Sequence, residues 1–549
     1  MSKNTRLVRL LDRGFYPAEL PPPFQTKNFG AAASSFNPPS NYHGSTTFFD
    51  GATFRAVLRT FGVINPCSFF LLSNFVAENW SQITSVLRLS SCSGARPKFP
   101  PIAANGRAIE TASLAAKRKS QQHLASSFPS ILTVDINRFY GSIYTHSIPW
   151  AALGKQEAKR RYRAHTLTGH WSDTLDKFVR NCNQRQTIGI PIGPDTSRII
   201  SEMILARIDS EICTRESGIT SNQVFHNIDD YQIGGFEIGE LENAQSHFVR
   251  TISRYELRLN DFKTSVDAGL AFVPTNFQRK FDILEDQSGK HFVEHFFELL
   301  YEITPDHPNA NVVGYALKRF SLKLARNTEK VLVREYLQRL LFAAPHQARW
   351  ILPLLLGLYN HLGTNAETRK VFGWGVEICA RRNDVGNLLW FLYGAIFLNL
   401  RLVRKTCDLC VGVSSELVDL MLFHGSHVGL FTIDRPALRR RYSDADFRTG
   451  AWLPLYEIER RAWDTSPAFS KLGTGDDANG LYNSLRGNNV EFYLTDQHLF
   501  DVTAFSGWRL TPEIFAQQEE AGLNIQDLQH LPDDFGAPED FDDFWMNYD

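Results

Sequence analysis

The sequence predicts a mixed α+β unit over residues 51–300 joined to an all-α region of stacked helices over 301–515. Two textures of patterning predict it. Between about residues 130 and 270, short runs of β-branched and apolar residues alternate with stretches of helical periodicity. After residue 310 the alternation stops, and helical patterns follow one another at a spacing of about 20 residues, as in stacked antiparallel pairs. Length agrees, because 549 residues exceed one ordinary core when domains run to roughly 100–200 residues. The 43% hydrophobic and 21% charged residues exclude collagen-like, coiled-coil and wholly disordered chains.

Residues 1–50 are rich in Pro, Ser, Asn and Gly with little periodicity, and read as an extended arm wrapped over other parts. Between 50 and 130, helical patterns alternate with loops such as SSCSGARPKFPP. ILTVDI (131–136) is short, apolar and rich in β-branched residues, the pattern of a buried strand. From Thr196 to Cys213, Ile200, Ile204, Ile208 and Ile212 fall on one helical face. QVFHNIDDYQIGGF gives two β-type runs with two aspartates between them, a hairpin with acids at its tip. A helix fits 238–257, and five more fit 327–342, 347–362, 366–381, 385–400 and 415–423. Residues 425–515 are mixed and aromatic, and 516–549 form an acidic aromatic tail that reads as a solvated end.

The net charge of −1 conceals an asymmetry: residues 1–200 hold 24 Lys and Arg against 10 Asp and Glu, and the remainder holds 34 against 49. A basic front suits a polyanionic partner such as nucleic acid or nucleotide. Its attraction to an acidic body suggests head-to-tail contact between copies, and so a homo-oligomer. Seven cysteines, sparse and odd in number, suggest no secreted disulfide framework and fit a reducing cytoplasm. Cys407 and Cys410 form a lone CxxC that reads as two buried thiols. The most apolar stretch, Leu388 to Leu398, falls short of the roughly 20 residues that span a bilayer, and the basic N-terminus has no apolar run of signal-peptide length. The expectation is a cytoplasmic protein without a membrane anchor.

Asp135 stands at the end of an apolar strand, where a carboxylate is costly to bury unless paired or bound to metal. Asp229 and Asp230 lie at the hairpin tip. A pair of aspartates in a turn is ordinary turn chemistry when alone. A fold that sets these strand ends side by side makes the carboxylate cluster that two Mg²⁺ ions, or Mn²⁺, need for in-line phosphoryl transfer.

Four strings around these residues, VDINRFYGSIYTHSIPWA (134–151), IGIPIGPDTSRIISEMILARID (188–209), FHNIDDYQIG (225–234) and LRLNDFKTSV (257–266), resemble in order and spacing four motifs of the reverse-transcriptase palm. The resemblance implies that Asp135, Asp229 and Asp230 are catalytic and bind metal, with the main-chain carbonyl of Ile136 completing its coordination. It implies that Tyr140 is a steric gate leaving no space for a 2′-hydroxyl, and that Gly193 permits close backbone approach to nucleotide. Lys263 would neutralise or protonate departing pyrophosphate. FYGSIYTHSIPWA together with GIPIGPDTSR is most similar to the bacterial abortive-infection and defence-associated reverse transcriptases of the unknown group, which join the palm to an α-helical repeat domain. That implies palm and fingers in residues 51–300 and transfer of dNTPs onto a primer or protein hydroxyl in antiphage defence. Synthesis would be RNA-directed, template-independent or guided by a non-coding RNA, with an RNA template and a DNA product as partners. Two positions depart from the pattern: Asn227 stands where many members have an aromatic residue, and Ile192 where glutamine is usual. Loss of that amide bears on templated copying. The alternative is a catalytically degenerate palm acting as an RNA-binding oligomeric scaffold.

Arg107, Lys117, Arg118 and Lys119 precede the first strand, where the fingers of such polymerases hold the triphosphate. Arg107 and Arg118 are the nucleotide-binding candidates, against the alternative of a solvated face. KRRYR (159–163) either tracks a nucleic-acid backbone, with Tyr162 stacking on bases, or is a charged loop between motifs. Residues 118–123 match RxxxxH, a pattern of certain RNA-cleaving helical domains, but they lie in the wrong region for a C-terminal nuclease domain. Should DNA start on a tyrosine of the chain, Tyr16 and Tyr42 in the arm and Tyr548 in the tail are the mobile candidates.

Overall fold

The computed structural model describes residues 1–101, 106–110, 114–268, 277–308, 310–474, 480–496 and 512–517. It contains two antiparallel sheets among many helices. Strands β1 (Thr47–Ala52) and β2 (Leu58–Val63) form a hairpin with Thr47 opposite Val63. Strands β3 (Ser130–Asp135), β4 (Val224–Asn227), β5 (Asp230–Gly235) and β6 (Ser265–Ala268) form a four-stranded sheet in the order β4-β5-β3-β6. Ile131, Leu132 and Val134 of the inner strand β3 are all buried, which explains why it reads as a continuous apolar run instead of an alternating one. The helices Leu114–Ser127 and Ile238–Ser253 pack on this sheet. The helix Asp195–Ile212 is buried along nearly its whole length and forms the centre of this half of the chain.

Residues 47–63 correct the expectation of helices and loops in that stretch. TFFDGATFRAVLRTFGV lacks clean alternation, and the hairpin is stabilised by partners distant in sequence. Asp384 Oδ1 accepts the Ala52 N–H at 2.9 Å, and the Gly62 N–H donates to the Ile192 carbonyl at 3.0 Å. The first fifty residues pack against distant parts of the chain, and they begin with a helix where the sequence suggests an extended arm. Ser2 caps the helix Lys3–Arg13 by accepting the Thr5 N–H. The following segment buries Phe15 and Phe29, whose rings lie 5.5 and 5.2 Å from Phe492. Lys27 N–H then bonds the Glu491 carbonyl at 2.9 Å.

Beyond residue 310 the chain is helical as the periodicity predicts: Lys330–Ala343 packs on Ala348–Leu362, and Val385–Phe397 packs on Ala348–Leu362, Ala366–Arg381 and Glu416–His427. The fourth ends earlier than expected, with Asn399 in the left-handed region at φ +53°. Cys407 and Cys410 are fully buried free thiols on the helix Arg404–Gly412. No helix among the described residues is long and apolar enough to cross a membrane. The tail from residue 518, with Tyr548, lies outside the described residues.

His424, in the last of these helices, is buried with its ring stacked on Trp463 at 5.3 Å and Nδ1 2.9 Å from the Tyr493 hydroxyl. Burial, with Arg461 and His427 adding, lowers its pKa from 6.5 to about 4. At pH 5 the unfolded chain therefore takes up a proton here that the folded chain refuses, so acidification favours unfolding. The penalty fades as pH rises past 6.5 and grows down to about pH 4, reaching about 2 kcal/mol at pH 5. His424→Gln is expected to show a smaller fall in thermal midpoint between pH 7 and pH 5 than the wild type, as read by calorimetry.

Candidate functional site

The register of the four-stranded sheet builds the site. Asp135, the last residue of β3, lies directly opposite Asp230, the first residue of β5. β4 ends at Asn227, opposite the same Asp230, so Ile228 and Asp229 alone make the turn. Ile136 N–H then donates to the Asp229 carbonyl at 3.2 Å, tying the turn to the end of β3. On the other side, Asn260 N–H bonds the Asp135 carbonyl at 2.8 Å, and Asn137 N–H bonds the Arg258 carbonyl at 2.9 Å. The structure therefore gathers residues from the first, third and fourth strings at one end of the sheet. The second string supplies the buried helix beside it.

Asp135 is 3% exposed, and its carboxylate accepts from Asn260 Nδ2 and Lys263 Nζ, each at 2.8 Å. Asp229 and Asp230 are half-buried. Burial, then the charges of Asp230 and Asp135, push the Asp229 carboxyl up to about 8, with Arg59 opposing. Burial also raises Asp230; Asp135 adds to this, while Lys117 and Lys263 oppose it. Three carboxylates crowded this way favour a proton or a cation among them. Among the described residues no three His, Cys, Asp or Glu side chains converge as a metal-holding group. In this arrangement the ammonium of Lys263 and the amide of Asn260 both bond the carboxylate of Asp135.

The sequence does not mark the surroundings of Asp135. Asn260 lies within LRLNDFKTSV, and nothing in that pattern marks it. Arg138 and Arg258 are exposed and, among the described residues, have no ion-pair partner. Phe262, between the two residues that bond Asp135, is wholly exposed. Lys117 lies within electrostatic reach of Asp230, on the helix Leu114–Ser127. Arg118 on that helix is half-buried, with Nη2 enclosed and, among the described residues, without a hydrogen-bond partner. Tyr140 is buried in the short helix Phe139–Ser142, and Ser201 Oγ lies 3.3 Å from its hydroxyl. Ile136 is fully buried. Tyr162 is 73% exposed on the helix Lys155–Arg163, whose Arg160 and Arg161 both pair with Glu157.

Four expectations are corrected. Arg107 is not a phosphate-facing cation: it is buried, with Nε and Nη2 bonded to Asp195, Nη1 to the Tyr16 carbonyl and Nη2 also to the Gly193 carbonyl. Gly193, at φ +121°, admits close backbone approach, but of Pro17: a Cβ there would stand 2.4 Å from the proline ring. Tyr16 and Tyr42 are not mobile. Tyr16 is buried with its hydroxyl on the Phe492 carbonyl at 2.7 Å, and Tyr42 is 1% exposed with its hydroxyl 3.4 Å from the Phe447 carbonyl. Burial raises the pKa of both phenols, so neither supplies a ready nucleophile.

No family model matches the chain, and no curated protein matches it. Among solved structures it is similar to apo telomerase from Candida tropicalis, with 10% identity and a TM-score of 0.30. The alignment covers 66% of each chain. A likeness that slight leaves the functional reading to the site residues themselves.

Proposed function

We propose that the chain is a divalent-cation-dependent DNA polymerase of reverse-transcriptase type, which adds dNTPs to a primer or protein hydroxyl and serves antiphage defence. The observation that carries the chemistry is the juxtaposition of Asp135 and Asp230 across one ladder, with Asp229 in the adjoining turn and Lys263 on Asp135. The donor set fits Mg²⁺, since hard carboxylate oxygens are its preferred protein ligands. Asp135, Asp229 and Asp230, with the carbonyl of Ile136, would hold the metal once Asp135 is released from Lys263. Bound there, Mg²⁺ supplies Lewis acidity toward an attacking hydroxyl and a leaving phosphate. Lys263 holds a proton at Nζ where negative charge would leave, and Arg138 and Arg258 offer cations to a polyanion. Phe262 offers a ring to a base.

The test is incorporation of labelled dNTPs by purified protein with Mg²⁺, across RNA, DNA and no added template. Incorporation in any arm supports the reading, and its absence in every arm overturns it. That failure, with RNA still bound, would favour a non-catalytic RNA-holding scaffold, the second reading supported by the occupied carboxylate of Asp135. If Tyr140 excludes the 2′-hydroxyl, Tyr140→Ala is expected to gain ribonucleotide incorporation while keeping dNTP use. Unchanged discrimination would remove the gate from Tyr140.

A further inference from the structure

The turn that carries Asp229 has an unfavourable backbone. Ile228, β-branched, stands at φ +56°, a region such residues rarely enter unless neighbours enforce it. Asp209, 1% exposed on the helix Asp195–Ile212, is the post to which both hairpin strands are tied. From β5, the Tyr231 hydroxyl donates to Asp209 Oδ1 at 2.8 Å. From β4, His226 Nε2 lies 2.8 Å from Asp209 Oδ2, the oxygen that also accepts the Ser90 hydroxyl. His226 and Tyr231 are register partners, and their rings stack at 4.7 Å. The other ring nitrogen, Nδ1, lies 3.0 Å from the Ile228 carbonyl at the apex of the turn. The backbone of His226 is held as well: its N–H donates to the Cys92 carbonyl at 3.1 Å, and its carbonyl accepts the Gly94 N–H at 2.8 Å.

We propose that His226 and Asp209 are positioning residues for the carboxylate centre. Asp209 holds the imidazolium, whose Nδ1–H holds the Ile228 carbonyl, and this locks the strained turn that presents Asp229 beside Asp135 and Asp230. The proposal rests on the reading of those carboxylates as a cation-holding centre. Nε2 faces a carboxylate oxygen as an ion pair, off the line of a hydrogen bond, and Nδ1 faces a carbonyl oxygen, an arrangement that suits a ring carrying hydrogens on both nitrogens. Burial opposes that charge, but Asp209, Glu202 and the Ile228 carbonyl outweigh it and raise His226 to about 9, which favours the charged ring. The ion pair is wholly enclosed, so its charge is poorly screened.

The experiment uses the full chain with Asp209→Asn, which keeps the shape and the Tyr231 bond but removes the charge, and His226→Gln, which has one amide where the imidazolium has two donors. Hydrogen exchange of amides 226–231 and Mn²⁺ binding followed by electron paramagnetic resonance are both read without any polymerisation. Both variants are expected to exchange faster in this segment and to bind Mn²⁺ about 10–100-fold more weakly, the usual cost of losing support behind a ligand. In incorporation assays kcat falls while the KM for dNTP holds. Folded variants with wild-type exchange and wild-type Mn²⁺ affinity would overturn the proposal. If the wild type itself binds no Mn²⁺, the cation reading fails, and hydrogen exchange still decides the clamp. If Asp209→Asn does not fold, His226→Gln decides. If both unfold globally, with no local opening of the turn, the pair holds the fold rather than the turn and the proposal falls.

Discussion

Asp135→Asn and Asp229→Asn are each expected to lower dNTP incorporation by a factor on the order of 1,000, the scale at which loss of one charge-stabilising group is felt. The two variants differ in what they do to the folded protein, which separates chemistry from structure. Asp135→Asn removes the anion that Lys263 holds at 2.8 Å, so a modest loss of stability accompanies the loss of activity. Asp229→Asn removes a carboxyl whose charge burial, Asp230 and Asp135 all oppose, so its thermal midpoint is expected to stay level or rise. A protein that keeps its midpoint and loses its activity has lost a reacting group. Equal incorporation by Asp229→Asn and wild-type protein would remove Asp229 from the chemistry.

What was legible in the sequence follows from which interactions are local. β3 and the helices after residue 310 are set by periodicities that persist over their own length, and the structure places them within a few residues of the expected bounds. The hairpin with aspartates at its tip was equally readable, because two β-type runs around a tight link allow little else. The β1–β2 hairpin was not, since its bonds go to Ile192 and Asp384, far along the chain. The same reasoning explains the tyrosines. The Pro- and Gly-rich composition of the first fifty residues suggests mobility, but Phe447 and Phe492 supply the carbonyls that immobilise Tyr42 and Tyr16, more than 400 residues away in sequence. His226 was not legible in the sequence: only once β4 is seen to bury all four of its residues does its histidine have to find a charged or hydrogen-bonded partner. Asp209, the partner it finds, could not be paired with it without the fold.

The same distance in sequence makes Arg107→Ala the largest expected loss of stability. Arg107 and Asp195 are 7% and 2% exposed, and removing one member of a buried pair costs about 3–5 kcal/mol because the other charge stays enclosed without its partner. Asp195 also accepts the Ala108 and Ile109 N–H groups at 3.0 and 3.3 Å, so it remains in place with its charge only partly met. The carbonyls of Tyr16 and Gly193 lose their guanidinium donors as well, at the point where Pro17 presses on the left-handed backbone of Gly193. Arg107→Lys is a poor substitute, since one ammonium cannot reproduce a planar fork shared among Asp195 and two carbonyls. Denaturation of Arg107→Ala, Asp195→Ala and the double variant checks this. The double variant is expected to cost less than the two single costs added together, because it leaves neither charge unpaired. A phosphate-binding role for Arg107 requires the opposite result, an unchanged midpoint with a raised KM for dNTP. The two outcomes cannot be confused, so this one substitution decides whether the basic residue before the first strand serves the substrate or the junction between the N-terminal segment and the central helix.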